Sequence, residues 1–462
     1  MSKNIILIDP DLKIFEQLIN LDEITIHSLI VSDETQKKEL HKKYDTEIYT
    51  VDGINEFYKK STITLDYTLI QTFRETQLKV EHFLNRVTTD TNLIQYIYYS
   101  ALSYWYNMFQ EHKIDYVISN MLEWGATFDS IIYDVAKHFN VDVFLIETGL
   151  ENGSNLFSGT VFHYNTKEYI SLNADSLNLT PVKLKNYVYY SIVKKKQKSI
   201  GWKKKIISAI EKIGGFLLLS FLNLIRGKHE IKHHSFQNSW MQYFLNFLHS
   251  KKMIKYYDTL GVDIDPEQKF IFYALHMEPE AATLARTTYS NQLIIIKTLS
   301  QCLPDGWKLY VKEHPHQFKN LNNLTRFYYL TSINRFKTKG YYDEINALEN
   351  VSLLKLSIKS SELINLSEAI ATINGTIALE AMLQKKPLLM FSQNTSPFKY
   401  INDVFDIKTS VDCSNAIEKV HHGFVPDYND LEETIQQYIF EVDSNKIIDY
   451  KPLINYLISK HE

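Results

Sequence analysis

The sequence predicts an α/β protein of two Rossmann-like domains facing a central cleft. Two observations carry that prediction. Short apolar runs end abruptly in polar loops, and each loop leads into a helix-compatible stretch. The pattern occurs in the first part of the chain and again in the second. With 462 residues, 45% hydrophobic and 23% charged, the chain is long enough for such domains and too apolar to be disordered.

The first domain is expected over 1–245. "NIILID" and "ITIHSLIVS" read as strands, and a region from Thr64 to Glu111 reads as helical. "DYVIS", "NMLEWG", "ATFDSIIYDVAKHF" and "VDVFLIE" then read as strand, loop, amphipathic helix and strand, the βαβ signature of a parallel sheet. Ligands of such sheets gather at the carboxyl ends of the strands, where Glu123 and Glu147 are expected.

The segment 194–228 differs in kind. It opens on Lys194, Lys195, Lys196, Lys198, Lys203, Lys204 and Lys205 and continues into the apolar run from Ile213 to Ile225. That run is shorter than the roughly 20 residues that span a bilayer. Two readings stand: a buried helix beside a solvated basic face, or a peripheral contact with an anionic membrane.

The second domain is expected over 246–430. "KFIFYAL" and "KLYVKEHP" read as strands around a helix in "TLARTTYSNQLIIIKTLSQCL", with "PDGW" as a turn. "SSELINLSEA" reads as a short helix capped by Ser360 or Ser361, followed by the strand "IATI", the turn "NGT", the helix "IALEAMLQK" and the strand "KPLLMF". The tail, 431–462, reads as helices, Asp430 to Phe440 and Leu453 to Lys460, packing back on the first domain.

Composition excludes some classes of function. A formal net charge of -4 gives no global attraction for nucleic acid. Two cysteines, Cys302 and Cys413, make neither a disulfide framework nor a zinc pattern, and no carboxylate pair has a clear metal role, so no cofactor is expected. The N-terminal "MSKNIILIDPD" has no signal-peptide pattern, so a cytoplasmic location is expected, at the inner face of the membrane if 194–228 binds there.

Three polar loops of the second domain carry chemistry. In "INGTIALEA", Gly375 permits close approach or positive φ, and the helix start offers N–H groups to an anion. Asn374 and the Thr376 hydroxyl adjoin that place, and Glu380 lies one turn along the same helix face, where it would accept from ribose hydroxyls. In "LHMEPEAA", His276, Glu278 and Glu280 lie between a strand and a helix, with Pro279 stiffening the loop. In "VKEHPHQF", Lys312 and His314 alternate at a strand end, and Pro315 holds His314 extended. His316 stays unassigned. Each loop alone also fits an ordinary solvated connection. Their shared placement after strands of one parallel sheet points to one phosphate site.

These motifs resemble the bacterial capsule polysaccharide biosynthesis family, GT-B glycosyltransferases that include β-Kdo transferases. The family shows a "PLH-x-Q-PE" type loop, a "VKEHP" strand end and a "GT-x-x-x-EA" turn. Here they fall at Leu275 to Glu280, Val311 to Pro315 and Gly375 to Ala381, with Glu278 in place of the usual Gln. The resemblance implies a nucleotide-sugar donor, such as CMP-Kdo, in the second domain. It implies that His314 meets the donor phosphate, that Gly375 and Thr376 supply backbone donors, and that Glu380 holds the ribose. An inverting transfer to a glycan or lipid-linked glycan acceptor would use a base from the first domain, Glu123 or Glu147. A nucleotide-sugar epimerase and a non-catalytic sugar-binding subunit of a polysaccharide assembly complex are the alternatives.

Overall fold

The computed structural model describes residues 2–8, 15–16, 18–31, 34–42, 44, 46–50, 62–63, 66–85, 90–120, 131–150, 156–175, 177, 180–189, 192, 240–278, 291–314, 317–318, 336–391, 396–441 and 451–460. The chain divides into two compact units, one of Met1–Tyr187, Ile231–His233 and Ile435–Glu462 and the other of Val188–Glu230 and His234–Thr434.

The first unit is built on strands β1 (Lys3–Ile8), β2 (Ile24–Val31), β3 (Glu47–Thr50), β4 (Tyr116–Asn120), β5 (Asp142–Leu150), β6 (Leu156–His163), β7 (Glu168–Ile170) and β8 (Thr180–Pro181). Their order is β3-β2-β1-β4-β5-β6, and β1 to β5 pair in parallel. In β1, Ile5, Ile6, Leu7 and Ile8 are all fully buried, as expected of a parallel strand covered on both faces. The helix Thr91–Glu111 buries Ile94, Ile97, Tyr98, Ala101, Trp105 and Met108 along one helical stripe.

From β5 onward the sheet turns antiparallel: β6 pairs with β5, and β7 pairs with β6. A strand from the far end of the chain, β15 (Phe440–Glu441), lies between β6 and β8 and pairs antiparallel with both. Phe440 is fully buried there, and Leu453, Ile454 and Leu457 of the helix Lys451–Lys460 join the same core.

In the second unit the strands are β9 (Phe270–Ala274), β10 (Lys308–Lys312), β11 (Val351–Leu353), β12 (Ala369–Thr372), β13 (Leu388–Met390) and β14 (Val404–Asp406). All pairings are parallel, in the order β11-β10-β9-β12-β13-β14. Counted within the unit this is 3-2-1-4-5-6, the doubly wound order of dinucleotide-binding sheets. Ile271, Tyr273, Leu309, Val311, Ala371 and Leu389 form its core with Met253 and Tyr257. The last two come from the helix Trp240–Leu260, which runs unbroken through the expected domain boundary at 245/246.

Several local expectations are corrected. The region from Thr64 to Glu111 is helical as expected, divided into the helices Tyr67–Thr72, Arg74–Leu84 and Thr91–Glu111. Asp66 and Asp90 start new helices by accepting the Leu69 and Leu93 N–H groups at 2.7 and 3.0 Å. Neither Ser360 nor Ser361 is the cap of Ser360–Leu366: Lys359 holds that place without a side-chain cap bond, and Glu362 in the first turn complements the helix dipole instead. The helix expected to reach Phe440 ends at Tyr438, because Phe440 is taken up by the first unit's sheet. Glu147 is not at a strand end, since β5 continues to Leu150 and pairs Glu147 with Thr160 of β6.

Among the described residues no helix is long and apolar enough to cross a membrane. The segment 194–228 lies outside them.

Phe440 closes the first unit's sheet through a side chain with no exposed surface, so Phe440→Ala should cost about 3–5 kcal/mol. The urea midpoint reads this directly. An unchanged midpoint would mean that the terminal strand adds nothing to that core.

Candidate functional site

The strand order of the second unit fixes where a ligand belongs. β9 comes first in sequence and sits between β10 and β12, so the chain winds away from it in both directions. The loops leaving the carboxyl ends of β9 and β12 flank the switch point, the place where open α/β sheets bind ligands. One loop carries His276 and the other Gly375.

His276 joins the two. Its ring Nε2 accepts the Asn374 backbone N–H at 3.2 Å. A backbone N–H only donates, so Nε2 is the acceptor of this bond, and the neutral ring carries its proton on Nδ1. The Thr372 hydroxyl lies 3.2 Å from Nε2 and donates to the Asn374 carbonyl at 2.8 Å. Gly375 has φ 105°, a region that glycine alone enters without strain, and a Cβ there would stand 3.7 Å from the His276 Cε1.

The helix Thr376–Leu383 begins at once. Gly375 occupies its cap, with no side-chain cap bond, and Thr376 is its first residue. Gly375 and Thr376 are exposed, while Asn374 and Glu380 are half-buried. The result is an exposed helix start, its dipole and N–H groups directed at solvent, braced from behind by an imidazole.

The backbone of His276 is held equally firmly. Its N–H donates to Gln292 Oε1 at 2.8 Å, and its carbonyl accepts from Gln292 Nε2 at 3.1 Å. The Lys337 ammonium donates to the same carbonyl at 2.5 Å and to Glu313 Oε1 at 2.8 Å. Glu313 Oε1 also takes the His314 N–H at 2.6 Å, and Oε2 takes the Tyr342 hydroxyl at 2.7 Å. The Glu313 N–H donates to the Tyr257 hydroxyl at 3.0 Å, which donates to the Leu354 carbonyl at 2.8 Å.

Glu278 belongs to this buried network. It is 7% exposed, and Gln292 Nε2 donates to its Oε1. The Gln317 amide brackets its backbone, Oε1 accepting the Glu278 N–H and Nε2 donating to the Glu278 carbonyl, both at 2.8 Å. Burial raises the Glu278 carboxyl above its ordinary value, against the opposing pull of the Lys337 cation and the Gln292 bond.

The expected residues therefore fall into groups. His276, Asn374 and Gly375 are in one contact set, with Thr376 beside them and Glu380 one turn on. Lys312, 5% exposed, ends β10, and its carbonyl accepts the Leu275 N–H at 3.0 Å. His314 is half-buried and tied through Glu313 and Lys337 to the His276 loop. Glu280, Pro315, His316 and Glu123 lie outside the described residues, and only the backbone of Glu147 is described. Lys337, Gln292, Glu313, Gln317 and Tyr342 were not assigned roles by sequence reasoning. Only Glu313 carried a signal, an acid inside the strand-end motif. Among the described residues no group of three or more His, Cys, Asp or Glu is placed to hold a metal ion.

No family model and no curated protein matches the chain. Among solved structures, the KpsC β-Kdo 2,7 transferase of Thermosulfurimonas dismutans is 10% identical, with 86% of this chain and 98% of that chain covered and a TM-score of 0.29. The UDP-GlcNAc 2-epimerase of Methanocaldococcus jannaschii is 12% identical over 100% of both chains, with a TM-score of 0.27. The wall teichoic acid polymerase TagF is 10% identical, covering 100% of this chain and 89% of that chain, with a TM-score of 0.23. Likenesses this distant bear no weight in the reading of the site.

The raised Glu278 carboxyl has a sign that solution stability reads. Its folded pKa lies above the ordinary 4.5, so its burial is favourable below that value and loses ground as pH rises through the folded pKa. Glu278→Gln removes the ionisation. The melting temperature of E278Q relative to the unsubstituted protein should therefore climb as pH rises above the ordinary carboxylate value of 4.5. A relative fall over that range would show that the attraction of Lys337 outweighs desolvation.

Proposed function

We propose that the protein is a nucleotide-sugar-dependent glycosyltransferase of bacterial surface polysaccharide synthesis, of the GT-B class, with its donor bound at the switch point of the second unit. One observation carries the reading: the His276 ring packs on the Gly375 turn, behind an exposed helix start, where the strand order of a parallel sheet reverses. That arrangement suits a phosphate group attached to a larger ligand. The sequence motifs around it add the sugar-nucleotide chemistry.

In this reading the donor phosphate meets the N–H groups of Gly375 and Thr376 and the Thr376 hydroxyl. His314 adds a donor to it, and Glu380 accepts from the ribose. The acceptor hydroxyl oxygen bonds to the anomeric carbon as the bond from that carbon to the phosphate oxygen breaks, with inversion. The charge gathering on the leaving nucleotide is stabilised by the same donors, already oriented before reaction. The hydroxyl proton passes to a base, for which Glu123 and Glu147 are the candidates from sequence. The sugar is Kdo or another, the nucleotide is CMP by motif analogy, and no resident cofactor takes part. The lysine-rich segment 194–228 is proposed to meet the anionic inner face of the cytoplasmic membrane.

Incubation with CMP-, UDP- and GDP-linked sugars, with and without a glycan acceptor, tests the reaction. Nucleotide release should depend on the acceptor and yield a glycosidic product. Epimerised sugar nucleotide formed without acceptor would replace the transferase with an epimerase. Binding with no turnover in either arm would favour a non-catalytic subunit.

Gly375→Ala should reduce donor affinity roughly tenfold or more, about 1.4 kcal/mol, because a Cβ is strained at this φ. Unchanged affinity in titration calorimetry would remove the turn from the site. The protein should float with anionic liposomes and lose that flotation when Lys194, Lys195 and Lys196 become Gln; flotation that persists in the variant would dismiss the role of these lysines, and no flotation of the unsubstituted protein would dismiss the membrane contact.

A further inference from the structure

Lys337 belongs to no motif, yet it fastens the loop after β9, at the switch point, to the loop after β10. Its side chain is 1% exposed and that of its partner Glu313 is 0% exposed. Lys337 bonds the backbone carbonyl of His276, and Glu313 bonds the backbone N–H of His314. The pair thus grips the main chain beside each histidine, one following β9 and the other following β10.

As a device for stability alone this is a poor choice. Both ions are stripped of water, and replacing such a pair with neutral groups of similar size is often harmless or stabilising. Apolar residues could fill the same volume. They could not bond two backbone groups from separate loops at once. The third loop is joined indirectly, because the ring of the same His276 takes the Asn374 N–H next to Gly375.

We propose that the Lys337–Glu313 pair is a positioning device for phosphate binding, setting His276 against the Gly375 turn and His314 at the end of β10. The inference rests on the nucleotide-sugar reading of that site. Lys337 does not touch the ligand. It acts through His276 directly and through Glu313 on His314. The occupant of the site is then a ligand whose phosphate needs both loops at fixed spacing, and affinity depends on the pair even when the fold does not.

The test uses the full chain with CMP and UDP as probes, in titration calorimetry beside thermal melting. Glu313→Gln with Lys337→Met removes both charges and keeps similar volumes. This double variant should melt near the unsubstituted protein and bind the preferred nucleotide at least tenfold more weakly. His276→Ala should weaken binding too. Combined with the double variant, it should add much less than its own separate loss, because the pair acts through that residue.

Wild-type affinity in a folded double variant would overturn the inference while leaving the functional reading intact. Fully additive losses would also overturn it, since the pair would then act independently of His276. If the double variant does not fold, Lys337→Arg decides. It keeps the charge beside Glu313, but its planar fork does not match the close bond to the His276 carbonyl. It should bind more weakly, and wild-type affinity in K337R would again overturn the inference. Absence of CMP and UDP binding by the unsubstituted protein would instead remove the functional reading, and the inference with it.

Discussion

The second unit depends on one buried charge pair. Lys337 and Glu313 sit where water does not reach, and each ion taken out of water costs several kcal/mol unless its bonding positions are filled. The protein fills them from different parts of the chain: the His276 carbonyl, the His314 N–H and the Tyr342 hydroxyl. A loop that loses its bond leaves an unmet charge in the interior, so the loops are locked by the cost of release more than by the strength of any one contact. A second carboxylate nearby, Glu278, has no cation of its own at bonding distance among the described residues. It is steadied by Gln292, and its proton affinity rises with burial.

The lock has consequences only because of the sheet beneath it. The 3-2-1-4-5-6 order puts β9 at the centre and sends its following loop and that of β12 to the same edge. His276 can then bond Asn374 although 98 residues separate them. The first unit begins with the same 3-2-1-4-5 order and departs from it after β5, where antiparallel strands extend the sheet. One of them, β15, comes from the end of the chain, so the first unit is assembled from distant segments.

Much of the second unit was legible in sequence. "FIFYA", "KLYVK", "AIAT" and "LLM" are the parallel strands β9, β10, β12 and β13, recognisable because buried parallel strands are apolar almost throughout. The turn at Gly375 was legible because glycine between a strand and a helix signals a backbone that other residues resist. Helix ends were less legible. Within the helical region, one break falls at Phe73 and another before Asp90, which caps the helix Thr91–Glu111, and the apolar, aromatic-rich pattern marks neither. β15 was not legible: two residues after a helix show no alternation.

The sequence by itself determined the two α/β units, most of the second unit's strands and the polar loops that follow them, since these depend on local pattern and on the properties of glycine, proline and histidine. Only the tertiary structure decided which polar residues face outward and which are buried supports. Glu278 and Lys312 read alike with Thr376 and His314 in sequence, yet the first two are nearly sealed from solvent and Thr376 is exposed. Lys337 and Gln292 carry no pattern at all, and their place is set by the strand order that brings distant loops together. Burial is a property of the packed chain, and a buried charge is recognised by its partners, which here come from segments far apart in sequence.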